Sequence, residues 1–314
     1  MHPEPIYKLG KEPSSMSNFV TAPIKCAAFI LCLLILNPIP VPVVESAGKK
    51  VGYFESLQQK LIKDGFEETR IKSLYNRPEV DFETKGVSLF LVHREARLNY
   101  DQFTTQASIQ KALKYMEKYK TELAKVEKKY GVSKEIITAV ILVETRLGNN
   151  VGRPFILNTL SSMASLADPE VRDMFWRKVS SSSRLTRKKY EKWVGKKSKW
   201  AYNELKAFLK YTNREEMDPA SIPGSYAGAM GIPQFMPSNI RTLAKDGDND
   251  GHIDLFNHAD AITSVANYLK HYGWHPGIDE KKAHKVLLHY NYSKYYANTL
   301  IKISKLLKDG SSPV

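Results

Sequence analysis

Three groups of residues have types and spacings that suit chemistry. The first is Glu144, in Val143-Glu-Thr-Arg-Leu-Gly148. It follows Ile137, Val140 and Ile141 at helical spacing and so continues an apolar stripe that should face the core. Burial disfavours the charged form of a carboxyl group, which lets a glutamate stay protonated near neutral pH and donate a proton. The same placement suits a buried glutamate paired with Arg146 or Arg153, and periodicity alone leaves both readings open. Gly148 and Gly152 follow closely and could leave this helix end open to a cleft.

The second group is Gly224-Ser-Tyr-Ala-Gly-Ala-Met-Gly-Ile-Pro-Gln-Phe-Met-Pro237. Its small residues allow another chain to approach the backbone, while Ser225 and Gln234 supply neutral donors and acceptors of the kind that hold sugar hydroxyl or acetamido groups. A tight helix crossing would explain the glycines equally well. In the third group, Asp246, Asp248 and Asp250 occupy positions 1, 3 and 5 of a D-x-D-x-D-G loop, with Gly251 at its sharp turn. Alternate oxygen donors ahead of a glycine can wrap a hard cation, with His252 at position 7 contributing its backbone carbonyl. Position 12 is Asn257, where a bidentate Glu is usual. The alternative is an exposed acidic turn.

These groups are carried by a chain that reads as mainly helical from residue 48 onward. Ile109, Leu113, Met116, Leu123, Val126 and Tyr130 share one face of a predicted helix from Ser108 to Tyr130, which Gly131 ends. Ser133 is the expected N-cap of the next helix, which carries Glu144 and stops near Gly148. Further helices are expected around Asn203 to Tyr211, Ala259 to Tyr272, Ala283 to Leu288 and Ser293 to Leu307. Between them, Ile222 to Ser238 reads as a loop-rich break. Its apolar Tyr226, Ala229, Met230, Ile232, Phe235 and Met236 call for burial. The sequence contains no sustained strand alternation and no internal repeat.

The Glu144 and Gly224–Pro237 motifs, Asp246-Gly-Asp-Asn-Asp-Gly-His-Ile-Asp-Leu, and Asp260 to Trp274 with Tyr290-Asn-Tyr-Ser-Lys-Tyr-Tyr296 occur in an order that resembles the membrane-bound lytic transglycosylase B family. The similarity covers roughly residues 50 to 305. It implies a lysozyme-like α+β fold, mainly α, with a helical core, a deep glycan-binding cleft and an EF-hand-like metal loop. It implies Glu144 as a single catalytic acid/base, and Ser225, Gln234, Phe235, Met236, Tyr268, Tyr290, Asn291 and Tyr296 as lining the cleft. It also implies Asp260, at position 15, as the carboxylate closing an enlarged loop around structural calcium or sodium. No cofactor for the chemistry is implied. The stretch from about Ala167 to Tyr202 is longer than its counterpart in the family and lacks a paired-arginine motif there.

One carboxylate is fewer than glycoside hydrolysis normally uses. A single acid can instead cleave the bond between N-acetylmuramic acid (MurNAc) and N-acetylglucosamine (GlcNAc) if the sugar's own 6-hydroxyl replaces water, giving a 1,6-anhydro-MurNAc end. The rivals are a hydrolytic muramidase on the same fold and a non-catalytic peptidoglycan-binding protein using the basic, Trp-containing segment 176–200.

The composition bounds the setting. With 314 residues, 42% hydrophobic and 25% charged, the chain can bury a substantial core, which excludes a disordered tail or a stapled miniprotein. Cys26 and Cys32, its two cysteines, both lie in the apolar run Cys26 to Leu36, which suits a signal peptide because a membrane span needs roughly 20 residues. Met16 is an alternative start and Ala47 a candidate cleavage point. Residues 1–47 are expected to be a signal peptide or N-terminal anchor, and 48–314 the catalytic domain, with a lysozyme-like core over about 105–305 and a basic insertion over about 167–202. The net charge of +14 implies an anionic partner. For an exported, periplasmic protein that partner is expected to be peptidoglycan glycan strands rather than nucleic acid, with membrane association through the N-terminus. Oligomeric state is not legible.

Overall fold

The computed structural model describes residues 52–92, 99–180 and 185–310. The predicted export signal and both cysteines lie outside them. The described residues belong to one compact unit. In chain order the helices are α1 (Glu55–Lys63), α2 (Glu68–Tyr75), α3 (Thr84–Val92), α4 (Gln106–Lys118), α5 (Lys120–Tyr130), α6 (Lys134–Thr145) and α7 (Ile156–Ser165). They continue as α8 (Pro169–Ser180), α9 (Arg187–Arg214), α10 (Pro237–Leu243), α11 (His258–His271), α12 (Glu280–Tyr290) and α13 (Lys294–Asp309). Among the described residues, β-structure is limited to isolated antiparallel bridges, Phe155 with Pro223 and Met230 with both Gly224 and Phe235.

Helix α6 is the axis of the site-bearing half, packed by α4, α5, α11 and α13. The sequence suggested one buried stripe, but every residue from Glu135 to Leu142 is buried. A helix surrounded on all sides is apolar all round, as the run Ile-Ile-Thr-Ala-Val-Ile-Leu requires. Its ends match the expected signals: Ser133 occupies the N-cap, and Gly131 ends the preceding helix in the left-handed region.

Two expectations need correction. The helix predicted from Ser108 to Tyr130 is two helices, broken at Tyr119 (φ −110°, ψ 30°), whose ring stacks on His258 with 4.5 Å between centroids. No Gly or Pro marks this break, which coincides with the tertiary ring stack. The helix expected around Asn203 to Tyr211 starts at Arg187. Tyr190, Val194, Ser198, Ala201 and Tyr202 bury one side of α9, and α9 packs along α7.

Candidate active site

Glu144 is the penultimate residue of α6 and is half-buried, where that apolar helix emerges from the core. The backbone beyond it is unusual. Arg146, Leu147 and Gly148 take φ values of 51°, 64° and 86° in succession. Side chains other than glycine rarely adopt this region, and such strain concentrates at functional sites. Thr145 holds the turn: its Oγ1 donates to the Ile232 carbonyl (2.9 Å) and accepts from the Gly148 N–H (3.1 Å), while its own carbonyl accepts from Asn150 (2.9 Å). The acid-bearing helix end is thereby tied to the glycine-rich segment. Arg146 is turned onto Gln102, to which it donates, and its guanidinium lies over the Phe103 ring.

Glu144 faces a cleft of about 1050 Å³ whose lining also includes Glu83, Leu89, Arg153, Ser225, Tyr226 and Gln234. Tyr296 of α13, itself buried, donates its hydroxyl to Glu144 Oε1 at 2.6 Å. Burial first, and the Glu144 charge second, push the hydroxyls of Tyr296 and Tyr290 well above their usual range, so both remain protonated donors. Tyr290 donates to the Pro233 carbonyl (2.6 Å), bracing the same segment from α12.

The polar lining has defined roles. Ser225 Oγ accepts from the N–H groups of Ala229 (3.0 Å) and Ala227 (3.3 Å), so its own proton is what remains to offer the cleft. Gln234, at φ 51°, donates Nε2 to the carbonyls of Gly231 (2.9 Å) and Val151 (3.2 Å), leaving its Oε1 as an acceptor. Serine as donor and glutamine as acceptor, flanking a carboxyl, suit a ligand rich in hydroxyl and amide groups.

The other predicted lining residues are placed differently. Phe235 and Tyr268 are 2% and 4% exposed and pack ring against ring, outside the cleft lining, with Tyr268 donating to the His289 carbonyl. Both belong to the hydrophobic core. Met236 is half-buried as the N-cap of α10, and Asn291 is the half-buried C-cap of α12. Tyr296 reaches the acid itself. Sequence reasoning missed Glu83, a second carboxylate in the lining, whose Oε1 accepts from the Gly86 N–H at 2.8 Å near the start of α3.

In the acidic loop, ligand oxygens of Asp246, Asp248 and Asp260 all lie within 4.8 Å of one another. Donors around one calcium ion, each 2.3–2.6 Å from it, occupy such a space. Asp260 is buried, and its oxygens accept from Gly247 and Asp254 (both 2.7 Å). Burial, with repulsion from Asp248 and Asp246, pushes its carboxyl up to about 6. Asp250 stands outside that trio and caps the His252 N–H (2.8 Å). The His252 ring, which is not an expected ligand, lies beside the buried carboxylate of Glu215, at 3.4 Å. That carboxylate also accepts from Ile253 N–H and Arg214. Glu215 carries no motif that would have marked it.

Comparison with known proteins agrees with this architecture. The profile of the family described as Transglycosylase SLT domain matches residues 50–280. The membrane-bound lytic murein transglycosylase B of Escherichia coli (strain K12) is 35% identical over 176 residues, 56% of this chain. The match spans 41% of that relative's length. Among solved structures, the soluble lytic transglycosylase SltB1 from Pseudomonas aeruginosa superposes with a TM-score of 0.64 at 26% identity, covering 82% of this chain and 99% of that one. The Escherichia coli lytic transglycosylase Slt35, solved with bulgecin A, superposes with a TM-score of 0.64 at 21% identity, covering 83% and 94% of the two chains. The chain belongs to the transglycosylase SLT domain family and resembles its B-type lytic members.

Proposed function

We propose that this protein is an exported lytic transglycosylase that cleaves the β-1,4 bond between MurNAc and GlcNAc in peptidoglycan, with Glu144 as its single general acid and base. The observation that carries this reading is one carboxyl at the mouth of an apolar helix, anchored by the Tyr296 hydroxyl and flanked by Ser225 and Gln234 in a cleft of about 1050 Å³. The relatives named above, described as lytic transglycosylases, support it.

In the first step protonated Glu144 gives its proton to the bridging oxygen, and the C1–O bond of MurNAc breaks. The substrate's N-acetyl group stabilises the electron-poor C1. The Glu144 carboxylate then takes the proton of the MurNAc 6-hydroxyl as O6 bonds to C1. Glu144 ends protonated and no water is consumed. A tethered hydroxyl has a very large effective concentration, on the order of 10⁵ M or more in well-oriented cases, so ring closure outruns hydrolysis where the cleft holds the sugar in place.

Mass spectrometry of fragments released from purified sacculi tests this. The new MurNAc ends should be one water lighter than hydrolysis products. Glu83 gives the hydrolytic muramidase a specific basis, because a second cleft carboxylate could activate water. Under the lytic reading Glu83→Gln keeps the anhydro product and most of the rate. Fully hydrated ends, with activity lost in Glu83→Gln, would establish the muramidase instead.

The Asp246, Asp248 and Asp260 carboxylates fit a structural calcium or sodium ion, with Asp250 and the His252 carbonyl as further loop donors. A bound cation would relieve the repulsion that raises Asp260. Calcium at roughly 100 times its dissociation constant should stabilise the fold by about 2.7 kcal/mol, read as a rise in Tm over the chelated protein. The Asp248→Asn variant should lose most of that rise, and identical melting with and without calcium would remove the ion.

Peptidoglycan strands are the proposed partner and the periplasm the proposed location. Both are supported by the net charge of +14 and the apolar N-terminal run. Among the described residues no helix is long and apolar enough to cross a membrane, so a membrane tether would rest on the N-terminal segment.

A further inference from the structure

Outside the cleft, α9 carries Trp193, Lys197 and Trp200 at spacings of four and three residues, which places them on one helical face. Phe90 of α3 packs against that face, its centroid 6.0 Å from Trp193 and 5.9 Å from Trp200, and lies 6.2 Å from Tyr226. The Lys197 Nζ sits 4.4 Å above the Phe90 ring and 4.6 Å above Trp200. Its polar neighbours do not explain it: among the described residues no carboxylate forms an ion pair with Lys197. Burial holds its ammonium below the usual lysine range.

A half-buried cation with no counter-ion among the described residues is costly, and attraction to ring faces offsets only part of that cost. The surrounding α9 surface is cationic as well, with Lys192, Lys196 and Lys199 exposed. The patch also connects to the cleft, because Tyr226 and Leu89, the neighbour of Phe90, both line it with Glu144. Leu89 is 49% exposed, so the apolar surface continues from one region to the other.

We infer that Phe90, Trp193, Lys197, Trp200 and Tyr226 form a distal subsite of the glycan groove, where a sugar ring lies against aromatic faces and a stem-peptide carboxylate meets Lys197. The inference rests on the glycan-cleaving reading above. The C–H faces of a pyranose ring are apolar and match aromatic surfaces, and the carboxylate supplies a counter-charge that the described residues do not place on Lys197.

Lys197→Met tests it, since it keeps the apolar stem and removes the charge; Lys128→Met on α5 is the control of equal charge. Two readouts are needed: retention on purified sacculi, and kcat/KM on long peptide-bearing strands against a peptide-free tetrasaccharide. Lys197→Met should lose about tenfold in kcat/KM on the long strands, the scale of one hydrogen bond to a charged group, and be unchanged on the tetrasaccharide. It should also be retained less well than Lys128→Met. Equal retention of the two variants, or an equal loss on both substrates, overturns the subsite. Absence of all cleavage by the unsubstituted protein would refute the glycan-cleaving reading, while retention on sacculi would still decide whether Lys197 contacts the polymer.

Discussion

Glu144→Gln is expected to cut turnover of sacculi by at least about 10²- to 10⁴-fold, the usual worth of a positioned general acid and base. Here one group serves both steps, so the loss should sit at the upper end of that range or beyond it. Glutamine keeps the shape and can still accept the Tyr296 hydroxyl bond, now 2.6 Å from Oε1, so the fold and the cleft should persist. Retention of the variant on sacculi should match that of the unsubstituted protein. Together these outcomes separate lost chemistry from lost binding. Cleavage at an undiminished rate would take Glu144 out of the reaction, and Glu83 would become the next carboxylate to replace.

The second large effect is expected at Gly152, where the chain passes the glycine-rich segment. Its φ is +100°, and a Cβ there would lie 1.9 Å from the Gly224 carbonyl oxygen and 2.9 Å from the Ser225 nitrogen. Both are backbone atoms, which cannot rotate away as a side chain would. Gly273 supplies the control, having φ +102° and nothing within 4 Å of an added Cβ. Gly273→Ala should therefore carry the conformational cost alone, about 1–2 kcal/mol. Gly152→Ala should cost more than about 4 kcal/mol, or displace the Gly224–Ser225 backbone and lose activity with it. Urea unfolding of the two variants side by side measures the difference, and equal losses would mean that the segment yields without consequence.

Much of the local structure was legible. Residues 131 and 133 end one helix and begin the next as expected, and the predicted helix from Ala259 to Tyr272 lies within a residue of the observed His258–His271. These signals act within a single turn, through backbone conformation and caps, so they survive whatever the helix packs against. Burial of Met230, Ile232 and Phe235 in the glycine-rich segment was legible for a similar reason, because large apolar side chains amid small residues have to leave water.

The site's cross-chain contacts were not legible from periodicity. Tyr296 and Glu144 are separated by 152 positions, and no local pattern announces that the phenol will reach the acid. Glu83 reaches the cleft only because α3 is brought to it, and the break at Tyr119 coincides with a ring stack on His258, which arrives from α11.

By itself the sequence determined where the acid sits on its helix, where that helix ends, and that an acidic loop follows a glycine-rich turn. Only the tertiary structure decided which groups surround the acid: Tyr296 on its oxygen, with Ser225, Gln234 and Glu83 in the same cleft lining. Helix ends and apolar runs are written in interactions between near neighbours, whereas the company a side chain keeps across the fold depends on how whole helices pack.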